Sequence, residues 1–119
     1  MANLAPLSYP GGMQVPLSDW PAGLDREIAT IDPVAIAEGL GARLRFERDH
    51  DDLDRFTAAI LIIDGTYFAL QLYDNIPTGH VTLIAMNDVT DDRASLDAFL
   101  RWSGIPPGAV TWRRPTDGG

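Results

Sequence analysis

A chain of 119 residues with 45% hydrophobic content has the size and core material of a single domain. It contains no cysteine, and all nine basic residues are arginine. Those absences remove disulfides, thiolate nucleophiles, cysteine-based metal sites, a lysine-bearing phosphate loop and Schiff-base chemistry. The formal net charge of −8 argues against nucleic acid and anionic membrane surfaces as partners.

The charge is unevenly placed. Ten acidic residues, all aspartate, lie between Asp49 and Asp97 against Arg55 and Arg93, while the remaining acids and arginines balance. No apolar run reaches the roughly 18 residues of a membrane helix. The opening MANLAPLSYPGGM lacks the basic start of a signal peptide, so the expectation is a cytoplasmic protein.

Residues 1–23 carry Pro6, Pro10, Gly11, Gly12, Pro16, Pro21 and Gly23, a density that opposes a long helix or a central strand. Leu4, Leu7, Tyr9, Met13, Val15, Leu17 and Trp20 are interleaved with them, which predicts an extended arm laid on its own core, with a swapped arm on a neighbour as the alternative. A short helical turn is expected over Asp25–Ala29. Asp32-Pro33 is a helix start, with Ile36, Ala37 and Leu40 on one face and Gly41 as the stop.

Ala42–Arg48 alternates apolar and charged residues as a half-wet strand does, and Asp49–Asp54 (DHDDLD) reads as a loop. Phe56–Ile63 is apolar on both faces and predicts a central strand covered on both sides. Asp64-Gly65 signals a two-residue hairpin. The return strand Thr66–Tyr73 points Phe68, Leu70 and Leu72 one way and Tyr67, Gln71 and Tyr73 the other. Asp74–Gly79 is a loop on its breaker content, and His80–Met86 is a strand with Val81, Leu83 and Ala85 inward.

Thr90 or Asp91 caps a helix running to Ser103, with Leu96, Phe99 and Leu100 as its buried stripe, and Gly104 ends it. Ala109–Arg113 supplies an edge strand. The expected fold is α+β: one antiparallel sheet of four to five strands, both helices on one face, and the N-terminal arm. The domain then spans 24–114, with a flexible tail over 115–119.

The DHDDLD run is the leading candidate site. Its carboxylates suit a hard cation, but the spacing lacks the glycine and distal glutamate of a calcium loop, so no metal and no cofactor is expected. Docking of a basic protein partner fits better, because clustered carboxylates steer association and pair with arginine or lysine. Asp49, Asp51, Asp52 and Asp54 would make those contacts, joined by Asp91 and Asp92. His50 and His80 are the two histidines, and nothing in the sequence brings them together for acid–base work. Four serines lie outside any nucleophile-elbow context, so no enzyme activity is expected. Tyr67, Tyr73 and Trp112 could share an open sheet face with Arg113 and Arg114 as an aromatic interface; the alternative is that the helices cover that face and bury Trp112.

Asp51-Asp52-Leu53-Asp54-Arg55-Phe56-Thr57-Ala58-Ala59, then Phe68-Ala69-Leu70, then Pro77-Thr78-Gly79 form a series of short motifs. Through them the stretch from Leu44 to Trp112 resembles a set of short uncharacterised bacterial proteins. That resemblance implies a shared fold and brings no chemistry with it. Small acidic α+β proteins of bacteria also look like immunity proteins and antitoxins as a class, which implies neutralisation or regulation of a basic protein partner. An oligomeric accessory subunit, such as a homodimer joined through the arm and the aromatic face, is the second reading. A small ligand-binding domain or enzyme is the third.

Overall fold

The computed structural model describes residues 8–9, 12–40, 44–50, 55–73 and 79–115. Among these residues the architecture is α+β, with one antiparallel sheet and two α-helices. Its centre is the apolar segment anticipated from sequence, strand β5 (Arg55–Ile63). One edge of β5 pairs from Phe56 to Ile63 with β6 (Thr66–Tyr73) through the Asp64-Gly65 turn, where φ is 50° and 80°. Both values are positive, as a turn matched to the right-handed twist of a hairpin requires.

The other edge of β5 is shared by two strands placed end to end. Strand β2 (Gly12–Val15) pairs with Ile60–Ile63, and β4 (Glu47–His50) pairs with Arg55–Ala58. The Gln14 side chain spans the junction: its amide donates to the Arg45 carbonyl and its oxygen accepts from the Arg45 N–H at 3.0 Å. Side-chain amide thus continues the hydrogen bonding where the two strands meet. A two-residue strand β1 (Ser8–Tyr9) adds outside β2. On the far side of β6 come β7 (Val81–Met86), β3 (Leu24–Ile31) and the edge strand β8 (Val110–Arg113).

Alternation divides the sheet into two faces. Ala59, Leu61, Ile63, Phe68, Leu70, Val81, Leu83 and Ala85 share one, with Ile36 and Leu40 of helix α1 (Pro33–Leu40) and Leu96, Phe99 and Leu100 of helix α2 (Asp92–Ser103) packed on it. Both helices therefore lie on this face. Phe56, Ala58, Ile60, Ala69 and Ile84 share the opposite face, covered in part by Leu17 of a 3-10 turn over Leu17–Asp19 and by Trp20. The caps act as the sequence indicates. The Val34 N–H donates to the Asp32 carboxylate at 2.9 Å, the Ala94 N–H donates to that of Asp91 at 3.0 Å, and Gly104 closes α2 at φ 78°.

Several expectations need correction. Among the described residues the sheet has eight strands instead of four or five. Asp25–Ala29 is part of strand β3, with no helical turn. Within the breaker-rich segment 1–23, Gly12–Val15 pairs into the sheet as β2, and Leu17 and Trp20 lie on the core. Strand β4 begins at Glu47, later than Ala42–Arg48 implied, so Asp49 and His50 are strand residues instead of loop. Ala37 is exposed, since α1 packs Ala35, Ile36 and Leu40 against the core. Residues 1–7, Gly41, residues 74–78 and the tail over 116–119 lie outside the described residues.

Because Leu17 is buried beneath the helix-free face, Leu17→Ala should lower stability by about 2–4 kcal/mol, the usual cost of a large-to-small core change. Urea denaturation measures this directly. An unchanged midpoint would show that the 3-10 turn lies outside the cooperative unit.

Candidate binding face

The helix-free face is built by side-chain parity from β5, β6, β7 and β3. Phe56 and Tyr73 sit directly opposite one another across β5 and β6, their rings edge to face with centroids 5.6 Å apart. Such a cross-strand aromatic pair holds both rings upright on the sheet. Trp20 stands against the same cluster, its indole N–H donating to the Leu24 carbonyl at 3.0 Å, so the ring is fixed in place and its polar atom satisfied.

Together these rings border a groove of about 370 Å³ whose remaining lining is Leu24, Ile84, Gln71 and the carboxylates of Asp25 and Glu27. Both carboxylate residues are exposed. The groove thus combines aromatic walls, an aliphatic floor and negative charge, which is the chemistry that holds a guanidinium or ammonium group. Asp49 is cross-strand partner to Phe56 and projects from the same face, and it too is exposed. On that face Glu47, opposite Ala58, accepts from the Leu17 N–H at 3.1 Å and so anchors the 3-10 turn.

The residues singled out from sequence divide. Tyr67 and Tyr73 lie half-buried on the helix-free face. Trp112 shares that face, 43% exposed on the outermost strand. The helices leave it uncovered, so Trp112 is not a core residue. A bulge sets Thr111 and Trp112 together against Thr30, and Arg113 consequently turns to the helix face beside Leu96. Arg113 and Trp112 are therefore on opposite sides. Asp51, Asp52 and Asp54 lie outside the described residues, in the connection between His50 of β4 and Arg55 of β5.

Asp91 and Asp92 are engaged within the fold. Asp91 caps α2. Asp92 is 8% exposed and receives two hydrogen bonds of 2.7 Å from Arg26 Nε and Nη2, a bidentate pair tying α2 to β3. A buried carboxylate already paired in this way is unavailable to a partner. The Arg26 hydrogen bonds, with the charges of Arg26 and Arg114, hold the Asp92 carboxyl below its ordinary value despite the opposing effect of burial. His80 Nδ1 lies 3.2 Å from Thr111 Oγ1, and no group of three histidine or acidic residues able to hold a metal ion occurs among the described residues. No helix among them is long and apolar enough to cross a membrane.

Sequence reasoning found Tyr73 but missed Trp20, Asp25, Glu27 and Phe56 as parts of one site. The available signal was the shared direction of Tyr67, Gln71 and Tyr73, which required only one further strand beside them to close a groove. Comparisons with family models, with curated proteins and with solved structures gave no match to this chain.

The depressed Asp92 pKa fixes the sign of a pH effect. Its pairing contributes stability above the ordinary carboxylate pKa of about 3.9, and that contribution is lost as pH falls through the folded-state value. Asp92→Asn should therefore cost about 2–3 kcal/mol at pH 7, less than a fully buried pair because Arg26 is a third exposed. The gap between variant and wild type should narrow as pH drops from about 4 towards 2. A gap that stays constant across that range would exclude the ion pair as its source.

Proposed function

We propose that this chain is a small acidic binding module that neutralises or regulates a basic protein partner, in the manner of immunity proteins and antitoxins, and that the helix-free sheet face receives the partner's arginine or lysine side chains. The observation that carries this reading is the groove itself. Trp20, Phe56 and Tyr73 wall a space whose charged lining is Asp25 and Glu27. A cation entering it gains both the faces of aromatic rings and direct carboxylate pairing. The net charge of −8 supports the same sign of partner over a longer range, since concentrated negative charge accelerates encounter with a basic surface.

Two tasks are separated in this scheme. Asp49, Asp51, Asp52 and Asp54 steer the approach, and the groove provides the short-range contacts. The aromatic character of the face, with Tyr67 and the exposed Trp112, supplies the apolar area that charge pairing alone lacks.

Titration with a short arginine-rich peptide, followed by calorimetry at low and moderate salt, tests the reading. Tyr73→Leu preserves all charge and should weaken binding about fivefold, the loss of one cation–ring contact. Asp25→Asn with Glu27→Gln should weaken it tenfold or more and flatten the salt dependence. Asp51→Asn with Asp52→Asn should slow association while leaving the melting temperature unchanged. Binding indifferent to Tyr73→Leu and to the Asp25/Glu27 pair would reduce the interaction to diffuse attraction between opposite charges and remove the groove from the proposal.

A further inference from the structure

The helix face of the sheet has a second cavity of opposite chemistry. It measures about 220 Å³, and Ile28, Leu96 and Pro115 line it together with Arg93, Arg113, Arg114 and Asp92. In a chain with a net charge of −8 and nine arginines, three arginines line this one cavity against a single acidic residue. That carboxylate takes its two 2.7 Å hydrogen bonds from Arg26, and of the three cavity arginines Arg114 also acts on it through its charge. The Arg26–Asp92 contact is an ion pair, with Nη2 2.7 Å from Oδ2. Arg114 is oriented by its own main chain, its N–H donating to the Ile28 carbonyl at 2.8 Å, and by Nε donating to the Glu27 carbonyl at 2.7 Å.

The fold makes this convergence by three separate means. The bulge in β8 turns Arg113 towards α2. Arg93 is the second residue of α2 and exposed beside the cavity. Ile28 and Leu96, exposed by 1% and 2%, supply an apolar floor. A space smaller than a drug-sized pocket, with guanidiniums at its mouth and hydrocarbon beneath, suits a compact ligand carrying more than one negative charge.

We infer that this cavity binds a small dianion, with its oxyanion groups on Arg93, Arg113 and Arg114 and any carbon skeleton against Ile28 and Leu96. Phosphate monoesters and short dicarboxylates share that chemistry. Occupancy ties the edge strand β8, which pairs only with β3 among the described residues, to the start of α2. Ligand binding at this site is thereby coupled to the stability of the sheet edge. The inference is independent of the proposed basic partner, since the two sites lie on opposite faces of the sheet.

The experiment is thermal melting of the whole chain with inorganic phosphate or with succinate, against sodium chloride at matched ionic strength. At roughly ten times the dissociation constant either probe should raise the melting temperature by about 5 °C. A response to phosphate alone assigns phosphate monoesters, and a response to succinate alone assigns dicarboxylates. Arg93→Gln with Arg113→Gln, both exposed and outside the ion pair, should abolish the rise without altering the melting temperature in chloride. Asp25→Asn with Glu27→Gln should leave it intact. Equal rises in chloride, a rise that survives loss of both arginines, or no rise with either probe would overturn the assignment.

Discussion

The structure depends on one strand having to be covered everywhere. β5 is apolar on both faces, and its residues from Ala58 to Leu61 are essentially inaccessible to solvent. A segment of that kind needs ladder partners on both edges and apolar cover on both sides, since an unpaired amide or a bare isoleucine at its centre costs free energy that a chain of this size cannot spare. The helices satisfy one side. The other is satisfied by Leu17, Trp20 and Leu24, drawn from the breaker-rich segment and the start of β3. Sharing one edge of β5 between β2 and β4 completes the ladder with two short strands where a long one is missing.

That solution leaves the helix-free face only partly covered. The 3-10 turn reaches Ile60 and its neighbours, but the end of the sheet that bears Phe56 and Tyr73 is bordered by acids and left as a groove. The candidate site is thus a by-product of incomplete coverage. The same two-sided apolar strand that requires Leu17 and Trp20 also creates the floor that these two residues leave open among the described residues. Aromatic residues suit that position because they bury a large area while tolerating a wet edge.

Legibility followed local rules. The N-caps of both helices, the Gly104 stop of α2, the Asp64-Gly65 turn and the strands between Arg55 and Met86 were readable because each depends on residues within a few positions of one another. Strand β3 was not. Its pairing with β7 shifts register twice, so Leu24, Ile28 and Ile31 fall at the three- and four-residue spacing of a helix while lying on different faces of the sheet. The bulges allow adjacent Ile28 and Ala29 both to be buried, and they erase the alternation by which strands are recognised. Missing β3 hid Asp25 and Glu27 as groove residues, and with them the neighbouring aromatics as walls. Composition gave the sign of the net charge correctly, but it averaged away the arginine cluster on the helix face.

The charge is therefore partitioned more than the total implies. On the helix-free face, carboxylates stand beside aromatic rings with their charges turned outwards. On the helix face, the part-buried Arg26–Asp92 pair engages the acidic residue that lines the cavity with Arg93, Arg113 and Arg114. A bidentate pair is geometrically committed, and its stability at neutral pH means that Asp92 does not swing away to meet neighbouring arginines. The sheet holds the two sets of charges on opposite faces, where distance, water and dissolved salt screen each from the other. An acidic protein can in this way keep a local preference for anions, provided the carboxylate nearest to the arginines is locked in a bond of its own.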